Sequence, residues 1–75
     1  MIKVRVILTG YLKNRYFEVK EMKYSNPIKI SQVIEDAKIS NADVYVVVKE
    51  GRVVKYDDLL TTSSEIKLIP VIGGG

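Results

Sequence analysis

Cysteine, histidine and tryptophan are all missing from this 75-residue chain. Without imidazole or thiol there is no His general base, no thiolate nucleophile, no disulfide and no Cys/His zinc cage, which excludes catalytic triads, redox pairs and zinc fingers. Long hydrophobic runs are missing too: no stretch of about 18 apolar residues could span a bilayer. The opening Met1-Ile2-Lys3-Val4-Arg5 places charges where a secretion signal needs an apolar stretch. A cytoplasmic protein is the expectation. A single domain of this size buries only about 60 to 65% of the surface its unfolded chain exposes. That leaves little room for a deep pocket, so a self-contained enzyme is not expected.

What is present is 47% hydrophobic residues, with 12 Lys+Arg against 9 Asp+Glu for a net charge of +3. Seven basic and two acidic side chains fall in residues 1–29, against five and seven in residues 30–75. The excess positive charge sits in the first third, where it marks a possible docking face.

Ile2, Val4, Val6 and Leu8 alternate with Lys3, Arg5, Ile7 and Thr9, which predicts a strand with its even-numbered residues in the core. After Gly10 to Asn14, where Gly and Asn tolerate positive φ, the aromatic-rich stretch Tyr16 to Tyr24 predicts the second arm of a hairpin. Ser25-Asn26-Pro27 breaks the chain. Ile30, Val33, Ile34 and Ala37 then recur at helical spacing, predicting an amphipathic helix of about three turns, closed by Ile39 to Asp43. Such a helix is too short to persist alone and needs a sheet beneath its apolar stripe. Val44 to Val48 is apolar on both faces and leads through Glu50-Gly51 into Arg52-Val53-Val54, a second hairpin. Asp57 to Ser64 is a polar connection interrupted by Leu59-Leu60. The final strand runs Glu65 to Val71, apolar on both sides near its end, as a strand inside a sheet would be.

The order strand, strand, helix, strand, strand, strand predicts an α+β fold, a β-grasp with a mixed sheet of about five strands packed on one helix. A ferredoxin-like arrangement needs a second helix, and residues 57–64 are too short and polar to supply it. The expected division is a β-grasp domain over residues 1–72 and a flexible glycine tail over residues 73–75.

The glycines Gly73, Gly74 and Gly75 have no Cβ, so they suit a channel too narrow for other residues. Three glycines alone also describe an ordinary frayed end. Their place directly after an apolar strand is what suggests delivery. A terminal carboxylate with a pKa near about 3.5 is ionised at neutral pH and could attack the α-phosphate of ATP held by a partner.

The run Val44-Tyr45-Val46-Val47-Val48-Lys49-Glu50-Gly51-Arg52-Val53-Val54, then Leu59-Leu60, then Glu65 to Gly75 resembles the second half of the MoaD/ThiS sulfur-carrier proteins. The resemblance extends over nearly the whole chain in element order and is specific in this half and at the tail. It implies a ubiquitin-like β-grasp whose Gly75 carboxylate is adenylated by a ThiF/MoeB-like enzyme and converted to a thiocarboxylate. Gly73 and Gly74 would be the threaded lead-in. The sulfur would pass to a synthase making molybdopterin or the thiazole of thiamin. On this reading the chain is a protein cosubstrate rather than an enzyme; it binds no cofactor or metal itself, and ATP is used by the partner. Two departures stand out. Thr61-Thr62-Ser63-Ser64 replaces the family's Asp-Gly-Asp-like turn, and one proline, Pro70, combines with three glycines, mixing features of the molybdopterin and thiazole branches.

Ile7, Val47, Ile69 and Val71 are expected on the sheet face away from the helix, as a candidate partner-docking patch or ordinary central-strand packing. Attachment of Gly75 to lysines of other proteins is the alternative function, sharing the activation step. Lys3, Arg5, Lys13, Arg15, Lys20 and Lys23, interleaved with Tyr11, Tyr16, Phe17 and Tyr24, are the ingredients of a single-stranded nucleic-acid surface, although a solvated strand face is the plainer expectation. Asp57-Asp58 is expected to serve turn chemistry or capping.

Overall fold

The computed structural model describes residues 1–72. Strand β1 (Ile2–Leu8) buries Ile2, Val4, Val6 and Leu8, the alternation its sequence predicts. A one-turn helix α1 (Leu12–Arg15) follows, then β2 (Val19–Tyr24), which pairs antiparallel with β1. Tyr16 and Phe17 lie outside the strand, so the expected second arm begins three residues late.

After the two-residue strand β3 (Ile28–Lys29) comes helix α2 (Ile30–Asp36), with Ile30, Val33 and Ile34 fully buried and Ala37 just beyond it. It has two turns rather than three because Lys38 turns left-handed at φ 64°. Lys38 N–H then donates to the Glu35 carbonyl at 3.0 Å and Ile39 N–H to the Ile34 carbonyl at 3.2 Å. This is a Schellman ending, formed here without the usual glycine. At the other end no side chain caps the helix. Instead Ile30 N–H donates to the Asp58 carbonyl at 3.0 Å and Ser31 N–H to that of Tyr56 at 2.9 Å, satisfying amides that helix geometry leaves free.

A single 3₁₀ turn (Asn41–Asp43) leads into β4 (Val44–Lys49), which turns back into β5 (Arg52–Val54). Glu50 and Gly51 at φ 52° and 78° give the hairpin turn the positive dihedrals that match strand twist. The connection expected to be merely polar contains β6 (Leu59–Leu60), paired with β3 in a small second sheet. Its Asp58 carboxylate accepts Lys55 N–H at 3.0 Å, the turn role expected of that pair. The last strand, β7 (Ser64–Pro70), lies at the centre of the five-stranded sheet β2-β1-β7-β4-β5, parallel to β1 and antiparallel to β4. One mixed sheet over one principal helix is the β-grasp arrangement. No polar or charged residue is buried among the described residues, and none of their helices is long and apolar enough to cross a membrane.

The helix is pinned to the sheet edge by one polar contact. Tyr24 Oη donates to Asp36 Oδ2 at 2.9 Å, while Gln32 Nε2 donates to Asp36 Oδ1 at 2.8 Å. Burial, then the hydrogen bond and charge of Asp36, push the Tyr24 phenol up to about 12. The unfolded phenol ionises near about 10. Above that pH the unfolded chain releases a proton that the folded chain keeps, so stability fully present below pH 10 is lost as pH rises through 12. Tyr56, raised by burial, acts with the same sign. The urea midpoint is expected to fall above pH 10, and Tyr24→Phe to flatten that fall in part. An identical slope in the variant would refute the assignment.

Candidate functional site

Gly10 closes β1 at φ +57° with its α-carbon so near β7 that an added Cβ would lie 2.7 Å from Pro70 Cγ. Only glycine meets both demands. Thr9 reaches the same place, its N–H at 3.3 Å and its hydroxyl at 2.9 Å both donating to the Leu68 carbonyl. Beyond Pro70, the Val71 N–H donates to the Asp43 carbonyl at 3.0 Å. The end of the central strand is therefore held from two sides, and Ile72, 88% exposed, is released directly after it. The acyl-carrier residue expected at Gly75 and the lead-in Gly73 and Gly74 lie outside the described residues.

Register decides what the outer face presents. Val19 pairs with Ile7, Ile7 with Lys67, Lys67 with Val48, and Val48 with Val53, forming one row across all five strands. Ile69 and Val46 pair in the neighbouring position toward the end of β7. The result is an apolar surface on the half of the sheet nearest Val71, interrupted in its central row by Lys67. Towards the opposite end the same face is charged, Lys3 lying across from Lys23 and Arg5 between Glu21 and Glu65. The Arg5 Nε to Glu65 Oε2 contact, 3.7 Å between two mostly exposed groups, contributes little to stability.

Ile7 and Ile69 occupy the outer face as expected, both half-buried. Val47 does not. Val44 pairs with Pro70 but Val46 with Ile69, so Tyr45 is an extra residue in β4 and the alternation inverts across this bulge. Val44 and Val47, three apart, both point inward, and Val47 is 1% exposed opposite Leu68. Val46 and Val48 take the outer places instead. Val71, 40% exposed, lies past the strand, where it joins Tyr45 and Ile72 around a groove of about 320 Å³. An unbroken apolar run hides its own parity, so sequence alone could not find Tyr45 or choose among the valines. The clash-free approach of Gly10 to Pro70 was equally invisible.

The basic and aromatic residues of the first third do not share one surface. Lys3, Arg5 and Lys23 share the outer face, Lys13 and Arg15 belong to α1, and Lys20, opposite core residue Val6, lies 5.5 Å from the Phe17 ring. Tyr16, Phe17 and Tyr24 pack against the core, leaving no row of free rings on which bases could stack. No cluster of carboxylates suited to a metal ion occurs among the described residues.

No family model and no curated protein matches the chain. Solved structures do. A protein from Pyrococcus furiosus assigned as molybdopterin converting factor subunit 1 superposes with a TM-score of 0.75 over 96% of this chain and 100% of its own, at 16% identity. SAMP1 from Haloferax volcanii superposes at 0.73 over 97% and 99%, at 11% identity. The fold is ubiquitin-like. The resemblance noted in the sequence thus holds across the chain at the level of the fold.

Proposed function

We propose that this chain is a sulfur carrier, a protein cosubstrate whose Gly75 carboxylate is activated by a ThiF/MoeB-like adenylating enzyme. The observation that carries the proposal is the placement of the apolar outer surface at the end of the sheet from which Val71 and Ile72 lead into Gly73-Gly74-Gly75. A partner seated there would meet the tail at its root. The fold shared with a molybdopterin converting factor subunit supports the same reading.

The chemistry asks little of the carrier itself. A Gly75 carboxylate oxygen attacks the α-phosphorus of ATP on the partner, pyrophosphate leaves, and an acyl-adenylate forms. A hydrosulfide-level nucleophile then attacks the acyl carbon and AMP departs, leaving a thiocarboxylate. Transfer of that sulfur serves molybdopterin or thiazole synthesis. The carrier contributes docking through Ile7, Val46, Val48 and Ile69, and through Tyr45 and Val71 beside the tail. Gly73, Gly74 and Gly75 carry no side chain that would obstruct a narrow channel.

The likeness to SAMP1 keeps a second acceptor in view: a lysine amine in place of hydrosulfide would give an isopeptide-linked modifier. ATP–pyrophosphate exchange with the adenylating enzyme of the same organism tests the shared step, and exchange dependent on this protein is expected. No exchange above background would refute the proposal. Cellular lysines carrying the isopeptide-linked carboxy-terminal remnant of this chain, Leu68 to Gly75 after tryptic cleavage at Lys67, with no thiocarboxylate, would assign the modifier role.

A further inference from the structure

The Asp43 carboxylate, whose side chain is 19% exposed, is the convergence point of two otherwise separate segments. Tyr16 Oη donates to its Oδ2 at 2.6 Å, and Arg15 Nε lies 3.4 Å from the same oxygen. The Tyr16 hydroxyl in turn accepts Ser40 N–H at 3.2 Å. The Asp43 carbonyl accepts the Val71 N–H, the last backbone hydrogen bond among the described residues. Core packing contributes little to this arrangement: the Tyr16 ring packs against the core only half-buried, α1 buries only Leu12, and the 3₁₀ turn buries no residue.

We infer that Asp43 is a latch: through Tyr16 and Arg15 it fixes the position of its own carbonyl, and that carbonyl fixes the point and direction in which the carboxy-terminal segment leaves the sheet. Asp43 is a positioning residue, acting through Val71. The consequence is a defined reach. Gly75 is four residues beyond Val71, and a chain extends at most about 3.3 to 3.6 Å per residue, so a carboxylate at Gly75 can travel no more than roughly 14 Å from the anchor. A bond holding Val71 converts a loosely placed carboxylate into one delivered at fixed range, and misplacement by about 1 Å can cost roughly a hundredfold in rate. This catalytic consequence rests on the sulfur-carrier reading; the latch itself does not.

The test compares full-length protein with Tyr16→Phe, Asp43→Ala and Asp43→Asn. By NMR hydrogen exchange, Tyr16→Phe and Asp43→Ala are expected to speed exchange of the Val71 amide about tenfold or more while Ile66 and Leu68 of the same strand stay unchanged. Asp43→Asn, which keeps an acceptor for the Tyr16 hydroxyl, restores most of the protection. In the exchange assay with the adenylating enzyme the same two variants lower kcat with KM for the carrier within about twofold, because the outer face is untouched. Unchanged Val71 exchange, or a loss shared equally by Ile66 and Leu68, overturns the latch. If wild-type protein is never adenylated, the function proposal fails, and the Val71 result still decides the latch.

Discussion

Extending the chain by one alanine beyond Gly75, or replacing Gly75 with valine, is expected to lower kcat/KM for adenylation by roughly a hundredfold or more. On the delivery account the extension moves the reacting carboxylate past its place, and the substitution puts a branched Cβ where the sequence has only glycine. Neither change touches the core, whose buried side chains run from Ile2 to Pro70. The thermal midpoint should therefore stay where it is. Docking should survive as well, so the blocked proteins are expected to compete with wild type for the enzyme. Adenylation of the extended chain at the wild-type rate would contradict the delivery account.

A neighbouring pair of valines separates folding from docking with comparable force. Val47→Asp places a carboxylate opposite Leu68 at a site 1% exposed, without a partner, and is expected to cost about 4 kcal/mol or more. A domain of this length has on the order of 4 to 11 kcal/mol to lose, so this variant is expected to be largely unfolded by circular dichroism. Val46→Asp, one residue earlier but half-buried on the outer face, is expected to change stability by about 1 kcal/mol at most. Its effect falls on the partner, as a raised KM for the carrier with kcat retained. Had β4 no bulge, the two effects would be exchanged. A folded Val47→Asp protein together with an unfolded Val46→Asp protein would show that the register is wrong.

That exchange also shows where sequence reasoning stops. The period of β1, the stripe of α2, the Glu50-Gly51 turn and the central position of β7 were legible because each imposes a repeating pattern or a dihedral demand on its residues. The bulge imposes none, since Val44 to Val48 is apolar at every position except for the amphipathic Tyr45, and parity can shift without a trace. Val47 was consequently assigned to the wrong face, and Val19, Val46, Val48 and Val53 were missed. The strands β3 and β6 have two residues each, too few to show a period. Helix α1 buries a single residue, Leu12, so it carries no stripe. The early end of α2 was hidden for another reason, because Lys38 takes a conformation that glycine usually marks.

The tail was the opposite case. Three glycines after an apolar strand suggest delivery in the sequence itself, whereas the anchoring of Val71 by Asp43 needed the tertiary structure. Residues from three separate stretches, Gly10 and Tyr16, Asp43, and Pro70, meet around that exit. Such long-range convergence has no local signature.

The central claim, that Gly75 carries sulfur, is tested most directly by the intact mass of this protein purified from its own host with native termini, beside a portion treated with a thiocarboxylate-selective probe. The account predicts a fraction in which one oxygen is replaced by sulfur, with the probe attached at Gly75 and nowhere else. Protein that carries only the unmodified carboxylate, from cells in which the adenylating enzyme is present and the sulfur-accepting synthase has been deleted, would contradict it.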